Sequence, residues 1–197
     1  MGSLLEDMNG MIDPVSLYGD QVIFHRNKFP LHATITWNDI VPVWQEERNN
    51  DQLRMLIPSY GSIVTENHIE YEGESEYPEL AIREDRQQIL STLVTHTKGF
   101  YNQRTLDVMN QEAFIPFNLQ QVNCYSNVLA ESFVFDKHKD PMSIFIIQTI
   151  GMSEYTINDN TYMLEPGDGI YIPRETYHKP RIFGPRSMFS YYWNPDK

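Results

Sequence analysis

Leu164-Glu165-Pro166-Gly167-Asp168-Gly169-Ile170-Tyr171-Ile172-Pro173, followed five residues later by His178, decides how this chain is read. Pro-Gly-Asp-Gly is a turn: glycine adopts backbone angles closed to other residues, and aspartate hydrogen-bonds its own backbone. Ile-Tyr-Ile behind it is a short apolar run with β-branched and aromatic residues, the composition of a buried strand. Working outward, the same alternation of short strand and turn recurs. Strands are expected at Val122–Val128, Phe133–Lys137, Ile144–Ile150, Ser153–Ile157, Thr161–Leu164, Gly169–Ile172, Tyr177–Ile182 and Ser187–Trp193, with Asn158-Asp159-Asn160 as one of the turns. Strands at this spacing predict a mainly β protein, a jelly-roll barrel or double-stranded β-helix spanning 121–193, with a few flanking α-helices.

Within that pattern His138-Lys139-Asp140 stands at one strand end and His178 at another. A His-x-Asp pair joined at long range by one more histidine is the spacing of a facial triad, in which two imidazoles and a carboxylate hold Fe(II) and leave its other positions open. Each residue also has a plainer reading. Asp136-Lys137-His138-Lys139-Asp140-Pro141 is polar throughout and would serve as an exposed turn, and His178 alone would be a hydrogen-bonded core histidine. The three together favour the metal. His25, His32, His68 and His96 lack ligand-like neighbours and are expected at the surface or in packing.

The 197 residues suffice for one domain with a substantial core, expected as a lead-in over 1–120 and a barrel over 121–193. A net charge of −12 opposes binding to a phosphate backbone, so no nucleic-acid partner is expected. No apolar run approaches the ~20 residues of a membrane helix, and no signal peptide is visible, which together point to a cytoplasmic protein. The single Cys124 excludes an internal disulfide and reads as a small buried strand residue.

In the lead-in, Val15 to Phe24 offers a turn and a short strand, followed by a loop from His25 to Pro30. Thr34 to Arg48 reads as a helix capped by Asn38 or Asp39, and Leu53–Ile57 and Ser62–Thr65 read as strands. The acidic run from Glu66 to Glu79 reads as a solvated loop. Arg83 to Lys98 reads as the clearest helix, with Ile89, Leu90, Leu93 and Val94 at helical spacing and Gly99 to stop it.

Leu164 to Pro173 with His178 resembles the second metal-binding block of the cupin superfamily. Phe145-Ile146-Ile147-Gln148, closed by Gly151 just after His138-Lys139-Asp140, resembles the first. The Asn123-Cys124-Tyr125 strand and the expected helix before Gly99 resemble the lead-in of the ribosomal-oxygenase branch of the JmjC-like Fe(II)/2-oxoglutarate oxygenases. The likeness covers most of residues 80 to 193. It implies that His138, Asp140 and His178 bind Fe(II), that Asn123 and Tyr125 contact the cosubstrate 2-oxoglutarate, and that Ser190 sets a hydroxyl near its distal carboxylate. One position departs from the pattern. Two residues after Gly151 the family usually carries Lys or Arg to pair with that carboxylate, and this chain carries Ser153. Arg186, at the start of the final strand, is the nearest guanidinium by sequence to replace it.

The implied activity is a non-haem Fe(II)- and 2-oxoglutarate-dependent dioxygenase that hydroxylates a peptide or protein side chain, or a small natural product. A cupin dioxygenase or lyase using iron without 2-oxoglutarate, supported by Ser153, and a non-enzymatic metal- or ligand-binding cupin are the alternatives. The larger relatives dimerise through helices that follow their last strand, so a monomer or weak homodimer is expected here.

Overall fold

The structure, a computed structural model, describes residues 19–42, 53–57, 62–65, 69–71, 93–97, 103–112, 119–127, 131–132 and 137–193. Its strands are β1 (Ile23–His25), β2 (Leu53–Ile57), β3 (Ser62–Thr65), β4 (Ile69–Tyr71), β5 (Leu93–Thr97), β6 (Leu119–Asn127), β7 (Glu131–Ser132), β8 (Ser143–Ile150), β9 (Ser153–Ile157), β10 (Asn160–Leu164), β11 (Gly169–Ile172), β12 (His178–Phe183) and β13 (Arg186–Trp193). Helix α1 covers residues 37–42, and α2 covers Gln103–Glu112.

β8 shows why the architecture is layered. Ser143 through Thr149 are all buried, and a strand buried along nearly its whole length must be covered on both faces. Its side chains alternate: Ile144 and Ile146 join one core with Ile170, Ile172, Met188 and Tyr125, while Phe145 and Ile147 join another with Tyr171, Phe189 and Tyr191. The first core is closed from the far side by Tyr155, Ile157 and Leu164 of β9 and β10. The second is closed by Phe29, Ile35, Ile40 and Val108, from the segment around α1 and from α2. Burying each isoleucine contributes about 1.5–3 kcal/mol.

Two antiparallel sheets result. One runs in the order β1-β11-β8-β13-β6-β5-β2-β3-β4, the other β10-β9-β12-β7, and they pack face to face across the first core. Among the described residues they are not joined into a closed barrel. No described helix is long and apolar enough to cross a membrane.

Most predicted strands appear within a residue or two of their expected ends, and β2, β3, β9 and β11 match them. Of Phe133–Lys137, residues 133–136 lie outside the described residues, and Lys137 is in a bend rather than a strand. The lead-in differs more. Leu93–Thr97, expected as the end of a helix, is β5, hydrogen-bonded to β2 and to β6. Val94, Thr95 and Thr97 are β-branched, which favours an extended backbone, and pairing with β2 on one side and β6 on the other gives that strand its hydrogen bonds. Residues 83–92 lie outside the described residues. Within the acidic stretch, Ile69–Tyr71 is a strand paired with β3, and the rest of that stretch is not described. The first strand is Ile23–His25, one residue into the expected loop. Helix α1 starts at residue 37 rather than 34. Thr36, not Asn38 or Asp39, is its cap: the Thr36 backbone N–H and hydroxyl both donate to Asp39 Oδ2, at 2.8 and 2.7 Å. Residues 43–48 lie outside the described residues.

Helix α2 was not foreseen. It docks through Glu112, which accepts from the backbone N–H of Leu31, from that of His32 at 2.6 Å and from His32 Nδ1 at 2.9 Å. His32 Nε2 lies 3.0 Å from the Tyr191 hydroxyl, so this buried network ties the helix to the β13 face of the large sheet. The 165–169 turn is held from outside by Asp168, whose carboxylate accepts from Glu165 N, Asn27 N and Arg26 Nη1. Gly167 there has φ +90, a conformation that other residues rarely adopt.

Candidate metal centre and its cavity

His138 and His178 face each other as an antiparallel bridge: His138 N–H donates to His178 O at 3.0 Å, and His178 N–H to His138 O at 2.8 Å. Residues directly opposite in such a pair project their side chains to the same side, and the two rings lie 4.3 Å apart, centre to centre. Asp140, two residues beyond His138, is drawn in by the next loop, where Glu175 N–H donates to its carbonyl at 2.7 Å. Lys139 and Glu175 close the outside of the same loop with an exposed ion pair.

The nitrogen and oxygen donors of His138, Asp140 and His178 lie within 4.8 Å of one another, with His178 Nε2 3.5 Å from Asp140 Oδ2. His178 is 3% exposed. Its Nδ1 sits 3.0 Å from the Thr176 carbonyl, an acceptor, which puts the ring proton on Nδ1 and turns the Nε2 lone pair toward Asp140. Burial pushes its pKa below 6.5, so the ring is neutral and able to ligate at neutral pH. Two imidazoles and a carboxylate grouped on one side are a donor set that could hold a divalent metal.

The three residues form one wall of a cavity of about 170 Å³ that runs between the two sheets. Ile144, Ile146, Met188 and Pro180 supply its apolar lining, and Tyr125, Tyr155, Tyr192, Ser190 and Arg186 its polar groups. Strand alternation accounts for the list. On β13, Arg186, Met188, Ser190 and Tyr192 face inward, while Phe189 and Tyr191 face the outer core.

The tyrosines form a connected group. Asn123 Nδ2 donates to the Tyr125 hydroxyl at 2.9 Å, which lies 2.8 Å from that of Tyr192. Burial pushes the Tyr125 pKa up to about 12 and raises that of Tyr192 well above 10, so both stay protonated. Burial also raises Tyr155, against the opposing pull of the neighbouring Arg186 guanidinium.

Arg186 is 1% exposed. Its Nε–H donates to Asn127 Oδ1 at 3.0 Å, and its Nη1 is buried with no hydrogen-bond partner. Ser190 Oγ is buried and equally unpartnered. Unsatisfied buried groups of this kind cost about 1–3 kcal/mol each and are uncommon in folded proteins.

Of the residues the sequence singled out beside the metal trio, Tyr125, Arg186 and Ser190 line the cavity, whereas Asn123 and Ser153 do not. Asn123 acts on the cavity through Tyr125. Ser153 is buried, and its hydroxyl donates to Gln148 Oε1 at 2.7 Å across the turn between β8 and β9. Tyr155 and Asn127 were missed. Tyr155 was findable, two residues after Ser153 on the same face of a strand. Asn127 was not, because only the register of β6 against β13 sets it opposite Arg186.

No protein-family model matches this sequence, and a search of curated proteins finds no match. Solved structures do match. The chain is similar to YcfD, a ribosomal oxygenase from Escherichia coli, at 15% identity and a TM-score of 0.59, over 88% of this chain and 48% of that one. What they share is a fold. Structures of YcfD in complex with cobalt and succinic acid, and with cobalt and 2-oxoglutarate, match with the same coverage at TM-scores of 0.58 and 0.54 and 15% identity. The present chain spans about half the length of the YcfD chain.

Proposed function

We propose that this protein is an Fe(II)- and 2-oxoglutarate-dependent oxygenase, with its two sheets forming a JmjC-like double-stranded β-helix. One observation carries the reading: a single cavity has a His-Asp-His donor set on its wall and a buried guanidinium with a partnerless Nη1 on its lining. A ligand that chelates metal at one end and presents a carboxylate at the other answers both, and 2-oxoglutarate is such a molecule. Its presence with cobalt in YcfD, a protein of the same fold, supports the choice.

In this reading His138, Asp140 and His178 hold Fe(II). Bound there with O₂ and the 2-oxo acid, iron would supply oxidative decarboxylation of the acid coupled to hydroxylation of a C–H bond. The chain's own residues orient and insulate. Arg186 and Ser190 hold the distal carboxylate, the hydroxyl of the Tyr125–Tyr192 pair whose proton is not spent on the bond between them donates to a cosubstrate oxygen, and Asn123 fixes the Tyr125 hydroxyl. Ile144, Ile146 and Met188 keep water from the space between. Ser153 had favoured iron chemistry without 2-oxoglutarate. Arg186 offers the missing cation from another strand and removes that support. A protein substrate is the class favoured by the fold shared with a ribosomal oxygenase.

Purified protein given Fe(II), ascorbate and labelled 2-oxoglutarate is expected to release CO₂ and succinate slowly even without its substrate. The Asp140→Ala protein is expected to release none. Equal release from wild type and Asp140→Ala would refute the proposal.

A further inference from the structure

Arg186 and Asn127 occupy directly opposed positions on β13 and β6. Both are 1% exposed, and they are joined by the Arg186 Nε–H to Asn127 Oδ1 hydrogen bond of 3.0 Å. A guanidinium is planar, so fixing Nε on one side sets where its Nη groups point on the other. Here Nη1 has no hydrogen-bond partner, and Arg186 lines the cavity shared with the metal donors. The backbone of the arginine is fixed as well. Gly151, at φ +66, packs so closely that an added Cβ would lie 2.1 Å from Pro185 O and 3.1 Å from Arg186 Cα.

We propose that Asn127 is a positioning residue that orients the Arg186 guanidinium while leaving it net cationic, as an anchor for the distal carboxylate of a 2-oxo diacid. The inference rests on the oxygenase reading above and adds to it the residue that makes Arg186 usable. The chemical identity of residue 127 is the decisive point. Asparagine and aspartate have nearly the same shape and both accept from Nε–H. Aspartate would neutralise the guanidinium within the protein, and a second carboxylate from a ligand would then meet no net charge. A neutral acceptor orients the cation and leaves its charge for the ligand. A purely structural role fits the arrangement poorly, because a buried guanidinium opposite a neutral amide is less stable than either an ion pair or two apolar residues of similar volume. Ser190, four residues along β13 and also inward-facing, adds a second partnerless hydroxyl to the lining of the same cavity.

The test is calorimetric titration of Mn(II)-loaded protein with 2-oxoglutarate and, separately, with pyruvate, a 2-oxo acid that lacks a distal carboxylate. Asn127→Asp is expected to weaken 2-oxoglutarate at least tenfold while leaving Mn(II) and pyruvate within twofold of wild type. Asn127→Ala, the second variant should Asn127→Asp fail to fold, is expected to weaken 2-oxoglutarate in the same selective way. It is also expected to shift the Arg186 Nε–H resonance in nitrogen-correlated spectra of the ligand-free protein. If wild type binds 2-oxoglutarate and Asn127→Asp binds it equally well, the need for a neutral partner that leaves Arg186 cationic is overturned, equal binding by Asn127→Ala overturns the positioning role, and in either case the oxygenase reading stands. If the variants lose pyruvate and 2-oxoglutarate alike, the role is general packing and the proposal is again overturned. Wild type that binds pyruvate but not 2-oxoglutarate overturns both together.

Discussion

Arg186→Met separates binding from stability more sharply than any other change in this protein. Methionine approximates the arginine stem and fills the same inward volume, but removes the cation from the cavity. A hydrogen bond to a charged group contributes about 1.5–3 kcal/mol, and stranding one member of a buried pair costs about 3–5. At 1.4 kcal/mol per factor of ten, the 2-oxoglutarate dissociation constant should rise by between about tenfold and a few thousandfold. The ligand-free protein should respond very differently. The substitution removes the partnerless buried Nη1, worth about 1–3 kcal/mol, and costs Asn127 Oδ1 its arginine donor, worth about as much. The two nearly offset, so unfolding free energy should change by no more than about 2 kcal/mol. Calorimetry with Mn(II)-loaded protein measures the first quantity and urea denaturation the second. An Arg186→Met protein with unchanged 2-oxoglutarate affinity, or one destabilised far beyond that range, would show that the guanidinium serves the fold and not a ligand.

Three further outcomes follow from the geometry. His178→Ala should lower Mn(II) affinity at least about a hundredfold, beyond the 10- to 100-fold typical of residues that merely orient a ligand; paramagnetic resonance of free Mn(II) reads this directly, and retained stoichiometric binding would exclude His178 from the donor set. Gly151→Ala imposes a side chain at φ +66 and drives its Cβ into Pro185 O, so it should destabilise the fold by roughly 2–5 kcal/mol from backbone strain and overpacking, and an unchanged denaturation midpoint would contradict that close approach. For His32, burial outweighs the opposing pull of Glu112 and holds the pKa below 6.5. Between pH 6.5 and the folded value the unfolded chain binds a proton that the folded chain does not. Stability should therefore fall on acidification by up to about 1.4 kcal/mol per pH unit in that window, and stay level above it. His32→Gln should flatten this slope in denaturation series from pH 5 to 8, and an equal slope in both proteins would refute the assignment.

The second half of the chain was legible because its strands are short, separated by Gly- and Asn-rich turns, and either apolar throughout, as in Gly169–Ile172, or alternating, as in Ser153–Ile157, patterns helices rarely imitate. Gly169–Ile172 and Ser153–Ile157 needed no tertiary information. The lead-in was not legible for the opposite reason. Leu93 and Val94 satisfy a helical period with Ile89 and Leu90, and nothing local reveals the β6 edge that claims them as a strand. Helix α2 was hidden because its buried face includes Thr105 and Glu112 beside Val108, so the stripe that docks it is half polar. Glu112 looks like a surface residue until Leu31, His32 and Tyr191 are assembled around it.

The candidate site divides along the same line. The grouping of His138, Asp140 and His178 was readable because side chains able to ligate a metal are few in kind and these three stand at strand ends. The distal end of the cavity was readable in part: Tyr125, Arg186 and Ser190 were named from the sequence and line it, whereas Asn127 was not, because it depends on pairing between strands far apart in sequence. Ser153 stood where a cation was expected, and Arg186 was the nearest guanidinium by sequence to replace it. In the folded protein the Ser153 hydroxyl is engaged by Gln148, while Arg186 reaches the cavity from the last strand, with Asn127 opposite it. In the proposed reading, a cation entering from β13 stands in for one from β9 as the anchor of the distal carboxylate. That exchange of partners is what a motif anchored to one strand overlooks. It also makes the pairing of Asn127 with Arg186, rather than the identity of residue 153, the feature by which other chains with this arrangement could be recognised.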